Sequence, residues 1–215
     1  MIECAGLTLN YFDKSKTIAA CENVSLEVRD NEFVGILGPS GSGKSSLLYL
    51  LSGLKEPTSG DVKLDGAPFP PPGSAERSLL RLKSFGFVFQ QPFLIGYLSA
   101  LENVMIVAGN LHKDHAAHLL EQLGLQDKMH RRPSELSGGE KQRVSVARAL
   151  VANPRVVFAD EPTAALDHAT GLQVVEMLAK YRHGALVMVT HDRTMLQGAN
   201  RIFQMEEGHL RETSE

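Results

Sequence analysis

A glycine-rich octapeptide, GPSGSGKS at 38–45, separates an apolar run from a helical pattern. It matches the pattern G-x-x-x-x-G-K-[ST], and its position between a predicted strand and a predicted helix is the context that this pattern requires. Successive glycines let the backbone curl so that its N–H groups point toward a phosphate, and the dipole of the following helix adds positive charge there. The sequence therefore predicts a phosphate-binding loop at a strand end.

Short apolar runs rich in β-branched residues alternate with helical patterns along the chain, as in a sheet flanked by helices. The runs lack polar alternation, which predicts parallel strands covered on both faces, with ligands bound at their carboxyl ends. The predicted buried strands are 34–37, 156–159 and 186–190. Alternating edge strands of an antiparallel portion are predicted at 2–9 and 22–28, and helices at 44–52, 167–181 and 192–199.

The stretch between Phe87 and Val156 has helical periodicity and little strand character. Its length of about 65 residues is too great for an ordinary connection. We expect one domain over 1–215, with a helical subdomain inserted at approximately 91–153. Helices are expected around 116–123 and at 137–152, and the four prolines of 67–74 predict a surface loop.

Two adjacent carboxylates, Asp160 and Glu161, follow the apolar run at 156–159. An acidic residue at such a strand end can hold Mg²⁺ through a water, and a neighbouring carboxylate can take a proton from an attacking water. Alone, the pair is often the polar start of a loop. With a phosphate-binding loop upstream, the functional interpretation is favoured.

The segment LSGGE at 136–140 narrows the class of phosphate-binding protein. Ser137 and Glu140 have the spacing of a capping box at a helix start. The same helix start, with two glycines beside it, exposes N–H groups to an anion. Structural and functional interpretations are compatible at this segment.

At this point the sequence resembles the ATP-binding cassette family of ATPases over nearly its whole length. The motifs stand in the family's order: Tyr11, the loop at 38–45, Gln90 in FVFQQP, LSGGE, Asp160 with Glu161, AALD at 164–167, and His191 in VTHD. The resemblance implies an α/β P-loop NTPase fold with a RecA-like, mostly parallel sheet core, an N-terminal antiparallel β portion and an inserted helical subdomain.

The resemblance also implies a role for each motif residue. It makes Glu161 the general base, His191 the γ-phosphate contact and Lys44 the phosphate clamp, with Gln90 sensing Mg²⁺ and the γ-phosphate. It makes Tyr11 the aromatic residue that stacks on adenine. Mg²⁺ is assigned to Ser45, Gln90 and Asp160. ATP is assigned to Tyr11, Gly38, Pro39, Ser40, Gly41, Ser42, Gly43, Lys44, Ser45, Ser46, Ser137, Gly138, Gly139 and Asp167.

Two partners follow from the same resemblance. A second copy of the chain would complete each ATP site with its LSGGE segment, giving a nucleotide-sandwiched dimer. An integral membrane permease subunit would dock near 90–101, where Phe93, Leu94, Ile95, Tyr97 and Leu98 are apolar; we expect about half of these in the core. The expected location is peripheral, on the cytoplasmic face of the cell membrane.

The phrase at 131–144 resembles the ATPases of lipoprotein-release, macrolide-export and glycolipid-export systems, and the phrase at 189–210 resembles the glycolipid-export type. These resemblances favour a complex that exports a substrate or does mechanical work in the periplasm. The alternative is an ATPase of a solute importer or of a cell-division complex. Lys and Arg total 22 against 25 Asp and Glu, a net charge of −3, so the basic surface expected of a nucleic-acid-binding protein is absent. A soluble P-loop kinase is disfavoured because it would not need LSGGE. A DNA-repair ATPase is disfavoured because it would usually carry coiled-coil or zinc-binding inserts, and the sequence has neither.

Overall fold

The computed structural model describes residues 1–13, 16–108 and 113–213, and for residues 12, 13 and 16 it describes the backbone alone. The described chain divides into two units. The first joins Met1–Arg81 to Val187–Glu215, and the second is Leu82–Leu186. The phosphate-binding loop therefore belongs to the first unit, and LSGGE belongs to the second.

The helices and strands follow the alternating order that the sequence predicts. In chain order they are β1 (Ile2–Asp13), β2 (Lys16–Val28), β3 (Phe33–Leu37), α1 (Lys44–Leu51), β4 (Ser59–Leu64), β5 (Ala67–Pro68), α2 (Ala75–Ser84), β6 (Phe85–Phe89), α3 (Ala100–Ala108), α4 (Lys113–Gln122), α5 (Gly138–Leu150), β7 (Val156–Asp160), α6 (His168–Tyr181), β8 (Ala185–Thr190), β9 (Arg201–Glu206) and β10 (His209–Glu212). Short 3₁₀ turns lie at Gln126–Lys128, Pro133–Glu135 and Arg193–Leu196.

The first unit contains an antiparallel sheet of order β2-β1-β4-β5. It also contains β3, which pairs parallel with β9, while β9 pairs antiparallel with β10. The antiparallel portion predicted at 2–9 and 22–28 is confirmed, and both strands are longer than predicted. β3 is buried at four of its five positions, as expected for an apolar run without alternation. The phosphate-binding loop leaves the carboxyl end of this strand.

Arg201, the first residue of β9, ties together several strands of the first unit. Its guanidinium donates to both carboxylate oxygens of Glu212 on β10, at 2.7 and 3.0 Å, and to the carbonyl of Glu27 on β2 at 3.1 Å. It also lies 3.4 Å from the carboxylate of Glu32, whose side chain is buried. Such a fork of charge-assisted hydrogen bonds fixes the β9–β10 hairpin against the start of β3.

We expect Arg201→Met to lower the free energy of unfolding by about 2 kcal/mol, because the buried Glu32 carboxylate would lose its cation. Urea denaturation would measure the difference. Arg29→Met is the matched control: Arg29 is exposed and its pair with Glu27 spans 3.4 Å, so its loss should cost under about 0.5 kcal/mol. Equal midpoints for the two variants would contradict this role for Arg201.

In the second unit, β6 and β7 pair parallel from Phe85 opposite Val156 to Phe89 opposite Asp160. All five residues of β7 are buried, including the terminal aspartate. Phe158 packs edge-on against Phe85 at 5.2 Å between ring centroids. This apolar contact fixes the two strands in register, so their carboxyl ends finish side by side.

Helices α3, α4 and α5 lie within the range 91–153 predicted to be helical, although residues 109–112 of that range fall outside the described residues. The extent of an inserted subdomain stays a prediction. Asn103 of α3 is buried and organises the segment before the helix. Its side chain accepts from the Ile95 N–H at 2.7 Å and donates to the carbonyls of Ile95, Leu98 and Ser99.

The helix predicted at 192–199 is wrong. The structure has a four-residue 3₁₀ turn, Arg193–Leu196, in its place. The Asp192 carboxylate accepts from the N–H of Thr194 at 2.9 Å and from its hydroxyl at 2.6 Å, and Gly198 has φ +83°. Both features favour a tight turn over a continuing helix. Helix α2 was not predicted.

Across the described ranges, the structure has no helix with the length and apolar character needed to cross a membrane.

Candidate functional site

The phosphate-binding loop has a backbone that side chains would obstruct. Gly43 has φ +103° and forms the N-cap of α1. A Cβ there would lie 1.9 Å from the carbonyl oxygen of Ala20, so no other residue fits without displacing β2. The Gly208 N–H, from the β9–β10 turn, donates to the Ser42 carbonyl at 3.1 Å. The loop is therefore held from two sides in a curled form.

Lys44 is buried at the start of α1 and folds over the loop. Its Nζ donates to the carbonyl oxygens of Gly38 at 2.8 Å and Pro39 at 2.9 Å. The Oγ of Ser42 is buried and has no hydrogen-bond partner among the described residues. A buried ammonium and an unpartnered hydroxyl inside a curled glycine loop suit an anionic ligand, since each would gain a hydrogen bond from it.

A cavity of about 550 Å³ lies along another side of the loop. Its lining includes Ser40 and Ser42 but also the carboxylates of Glu206 and Glu207, and it lacks Lys44 and Ser45. These two carboxylates would repel a phosphate, but Arg211 and His209 also line the cavity, so its lining carries groups of both charges. The phosphate position on the side of the loop that carries Lys44 stays a prediction.

Tyr11 lies beside the first turn of α1, and its predicted role in nucleotide binding stays a prediction. Its hydroxyl is 3.3 Å from the Oγ of Ser46 and accepts a 2.6 Å hydrogen bond from Lys55. Burial raises the pKa of Tyr11, but the hydrogen bonds from Lys55 and Ser46 outweigh it, so the pKa lies below its usual value. The residue as a whole is 38% exposed.

Three predicted residues of the second unit lie at one sheet edge. Because Phe89 pairs with Asp160 in parallel register, Gln90 and Glu161 both leave the sheet at the carboxyl ends of β6 and β7. Asp160 is buried and Gln90 is exposed. This adjacency follows from strand pairing and could not be read from motif spacing alone.

Glu161 has a strained backbone. Its φ is +46°, in the left-handed region, and it precedes Pro162, which itself disfavours helical conformations of the preceding residue. A non-glycine residue in this conformation costs of order 1 kcal/mol or more, and such residues cluster at functional sites. Its carbonyl accepts from the Ala164 N–H at 3.2 Å, which closes a turn.

The LSGGE segment forms the capping box that its spacing predicts. Ser137 is the N-cap of α5; its Oγ accepts from the Glu140 N–H at 3.2 Å, and Glu140 accepts from the Ser137 N–H at 2.7 Å. The backbone hydrogen bond from Ser137 is the main reason that the pKa of Glu140 lies below its usual value. A Cβ on Gly139 would lie 2.8 Å from Cγ2 of Thr170, so α6 packs closely here.

Asp167, predicted to contact nucleotide, has a structural role in this chain. It is the N-cap of α6, and its Oδ1 accepts from the Thr170 N–H at 3.0 Å. Hydrogen bonding to Thr170 holds the pKa of the carboxyl below its usual range. The side chain is exposed, which leaves oxygen lone pairs available for a further contact.

Two side chains of α5, not identified from the sequence, hold the segment around Gln90. Gln142 is buried and donates to the carbonyl of Phe89 at 2.9 Å. Arg148 donates to the carbonyls of Pro92 at 2.6 Å and Phe93 at 2.9 Å, and burial lowers the pKa of its guanidinium. The partners lie 53 to 56 residues apart in sequence, so no local pattern could have indicated them.

His191 follows the buried strand β8 directly and is exposed. It lies in the first unit, as do Tyr11 and the phosphate-binding loop, whereas Gln90, Ser137, Gly138, Gly139, Asp160, Glu161 and Asp167 lie in the second. The neighbouring Thr190 hydroxyl accepts from the Asp192 N–H at 3.1 Å, which fixes the turn on which His191 stands. The individual roles stay predictions.

A family model described as ABC transporter matches residues 21–164. The lipoprotein-releasing system ATP-binding protein LolD of Acinetobacter baylyi is 41% identical over 218 residues, covering 97% of this chain and 96% of the relative. The macrolide export ATP-binding/permease protein MacB of Nitrosomonas europaea is 40% identical over 98% of this chain, but the match covers 33% of MacB.

Among solved structures, a dimeric post-hydrolysis state of the ATP-binding cassette MJ0796 bound to ADP and Pi superposes with a TM-score of 0.91. It is 36% identical and covers 100% of this chain and 98% of that one. The cassette cbiO1 of Clostridium perfringens superposes with a TM-score of 0.84 at 26% identity, covering 98% of this chain and 86% of the other. The predicted α/β cassette fold is confirmed.

Proposed function

This chain belongs to the ABC transporter family, and we propose that it is the subunit that hydrolyses ATP to drive a complex whose membrane-spanning part is formed by other chains. The observation that carries the proposal is the match over 96% of a LolD, a relative named as an ATP-binding protein of a lipoprotein-releasing system. The buried Lys44 over a curled glycine loop supplies the matching chemistry.

The proposed reaction is in-line attack of water on the γ-phosphorus of ATP. The loop N–H groups and Lys44 hold the phosphates, and His191 contacts the γ-phosphate. Glu161 takes the proton of the attacking water, while the bond from the γ-phosphorus to the β-phosphate oxygen breaks and ADP leaves. Catalysis then depends mainly on positioning and charge stabilisation.

Three side chains have the donor chemistry for Mg²⁺: the Ser45 hydroxyl in the first turn of α1, the Gln90 amide and the Asp160 carboxylate. All are oxygen donors, which Mg²⁺ prefers. Gln90 and Asp160 fit together because they lie at the same sheet edge. When bound, the ion supplies charge neutralisation to the phosphate oxygens.

The proposed active form is a dimer of two copies that sandwich ATP. In support, Ser137 and Gly138 are exposed at the start of α5, and the first-turn N–H groups of a helix are suited to an anion. The solved MJ0796 cassette at 36% identity is itself dimeric with ADP and Pi bound. Each ATP would contact Lys44 of one copy and Ser137 and Gly139 of the other.

The proposed docking surface for a membrane subunit is the segment 90–101. Phe93 is 64% exposed and Tyr97 is 76% exposed, whereas the other three apolar residues predicted there are half-buried. Arg148 and Asn103 hold the backbone beneath these two rings. Exposed aromatic side chains on a fixed backbone are typical anchors of protein interfaces.

We expect Tyr97→Ala, alone and together with Phe93→Ala, to weaken association with the membrane subunit by about tenfold or more. The affinity for ATP should stay unchanged, because neither residue is among those assigned to nucleotide. Co-purification from native membranes and nucleotide titration would measure the two quantities. The control is Ile106→Ala, since Ile106 is 55% exposed in the same unit but outside the segment. Equal recovery for all variants would contradict this docking surface.

We propose that the transport complex is of the lipoprotein-releasing type, acting from the cytoplasmic face of the membrane. The match extends over nearly a whole LolD but over a third of MacB, which combines ATP-binding and permease parts in one protein. Importer and cell-division complexes are the alternatives.

An ATPase assay and a co-purification experiment test the proposed function directly. We expect Mg²⁺-dependent release of phosphate from ATP, and we expect an integral membrane protein of a lipoprotein-releasing system to co-purify from native membranes. Absence of ATP hydrolysis in the purified membrane complex would refute the catalytic part. Co-purification with an importer permease would refute the assignment to lipoprotein release.

A further inference from the structure

The ring of Tyr11 is tethered to both ends of α1. Near the start of the helix, its hydroxyl lies 3.3 Å from the Ser46 Oγ. Just beyond the end of the helix, Lys55 donates to the same hydroxyl at 2.6 Å. Because α1 begins at the phosphate-binding loop, the two contacts fix the ring relative to the position of a bound phosphate.

Lys55 reaches Tyr11 because of the way α1 ends. Gly53 has φ +64°, which turns the chain back after the last helical residues. The backbone N–H of Lys55 then donates to the carbonyl of Tyr49 at 3.0 Å. This hydrogen bond fixes the backbone of Lys55 relative to the helix. Only the Lys55 side chain then has to lose conformational freedom when it contacts the ring.

The Lys55 ammonium also lies over the ring, 4.0 Å from its centroid. A cation at this distance over an aromatic face is attracted by the electron density of the ring. The cation occupies one face, and the residue is 38% exposed, which is enough exposed surface for a planar group to stack on the opposite face. A ring already held in place loses less rotamer entropy when such a group binds.

We propose that Lys55 is a positioning residue for nucleotide binding: it holds the Tyr11 ring so that the adenine base of ATP stacks on the face that Lys55 leaves open. The proposal rests on the proposed ATPase function and deepens it. Lys55 itself touches neither phosphate nor water in this role, and it acts through Tyr11 alone.

The test separates base-dependent binding from phosphate binding. Purified Lys55→Met is expected to bind a fluorescent ATP analogue about fivefold more weakly than wild type, which is the loss of one charge-assisted hydrogen bond. Its affinity for inorganic tripolyphosphate, measured by competition, should stay the same. The KM for ATP should rise while kcat is retained, and Lys55→Arg should restore most of the affinity.

Two further variants complete the experiment. Tyr11→Phe keeps the ring but removes the acceptor, so adding Lys55→Met to it should produce a smaller loss than in wild type. Lys63→Met is the control, because Lys63 is an exposed lysine of β4 in the same unit and should behave as wild type.

Each contrary result has a distinct meaning. Equal ATP affinity of Lys55→Met and Lys63→Met, or an unreduced loss in the Tyr11→Phe background, would overturn the positioning role. An equal loss of tripolyphosphate affinity would overturn it too, by making Lys55 a phosphate contact. Failure of the wild-type chain to bind ATP would overturn the proposed function, and the Lys55 proposal with it.

Discussion

Glu161→Gln is expected to reduce ATP turnover by about a thousandfold or more while leaving ATP binding intact. The substitution keeps the size and hydrogen-bonding reach of the side chain but removes the group that accepts a proton. It also keeps the left-handed backbone, since glutamine experiences the same strain as glutamate at φ +46°. The difference in ATP turnover between this variant and wild type therefore reports the effect of the Glu161 negative charge alone. Because ATP would persist at the interface, the variant should accumulate as a dimer in the presence of ATP.

Phosphate release and size-exclusion chromatography with ATP would measure these two effects. Glu207→Gln is the matched control: Glu207 is also a glutamate with a left-handed backbone, at φ +47°, but it lies in the β9–β10 turn. It should hydrolyse ATP as the wild type does. Release of phosphate by Glu161→Gln at the wild-type rate would refute the assignment of Glu161 as general base.

Lys44→Ala is expected to weaken nucleotide binding by about a hundredfold, because it removes a buried cation from the phosphate position. A titration with a fluorescent ATP analogue would measure the loss. The substitution also removes two hydrogen bonds to the loop carbonyls of Gly38 and Pro39. Thermal unfolding of the ligand-free variant would show whether the fold is retained.

Lys63→Ala serves as the comparison for charge, since it removes an exposed lysine from the same unit. We expect its affinity for the analogue to match that of wild type. A Lys44→Ala variant that is folded and binds ATP within about twofold of wild type would contradict the role of Lys44 as phosphate clamp.

The features that the sequence predicts well are those encoded locally. The curled loop at 38–45 depends on its own glycines, and β3, β7 and β8 depend on uninterrupted apolar runs. The capping box of Ser137 and Glu140 needs only a spacing of three residues. Motif order then identified the family, because several local patterns had to occur together.

Helix α2 illustrates what the sequence did not predict. Its segment, AERSLLRLKS, is amphipathic but mostly polar, and two of its three leucines, Leu79 and Leu82, are exposed. The buried Arg77 lies in this helix and pairs with Glu56 at 2.7 Å. An arginine at a buried position breaks the apolar pattern by which helices are recognised.

The contacts that organise the candidate site are also beyond local patterns. Lys55 reaches Tyr11 across 44 residues, and Arg148 reaches Phe93 across 55. These partners meet because separate helices and strands pack together, and no residue type or spacing in the sequence indicates the contacts. The same holds for the adjacency of Gln90 and Glu161, which depends on the pairing of β6 with β7.

The hydrogen bonds from α5 to the segment around Gln90 have a mechanical consequence. This 13-residue helix is about 20 Å long; Ser137 caps its beginning, and Arg148 lies in its last turn. For as long as Gln142 and Arg148 hold the carbonyls of Phe89, Pro92 and Phe93, we expect α5 and that segment to move together. We therefore expect a displacement of Phe93 to be transmitted along α5 to LSGGE, and a displacement of LSGGE to be transmitted to Phe93.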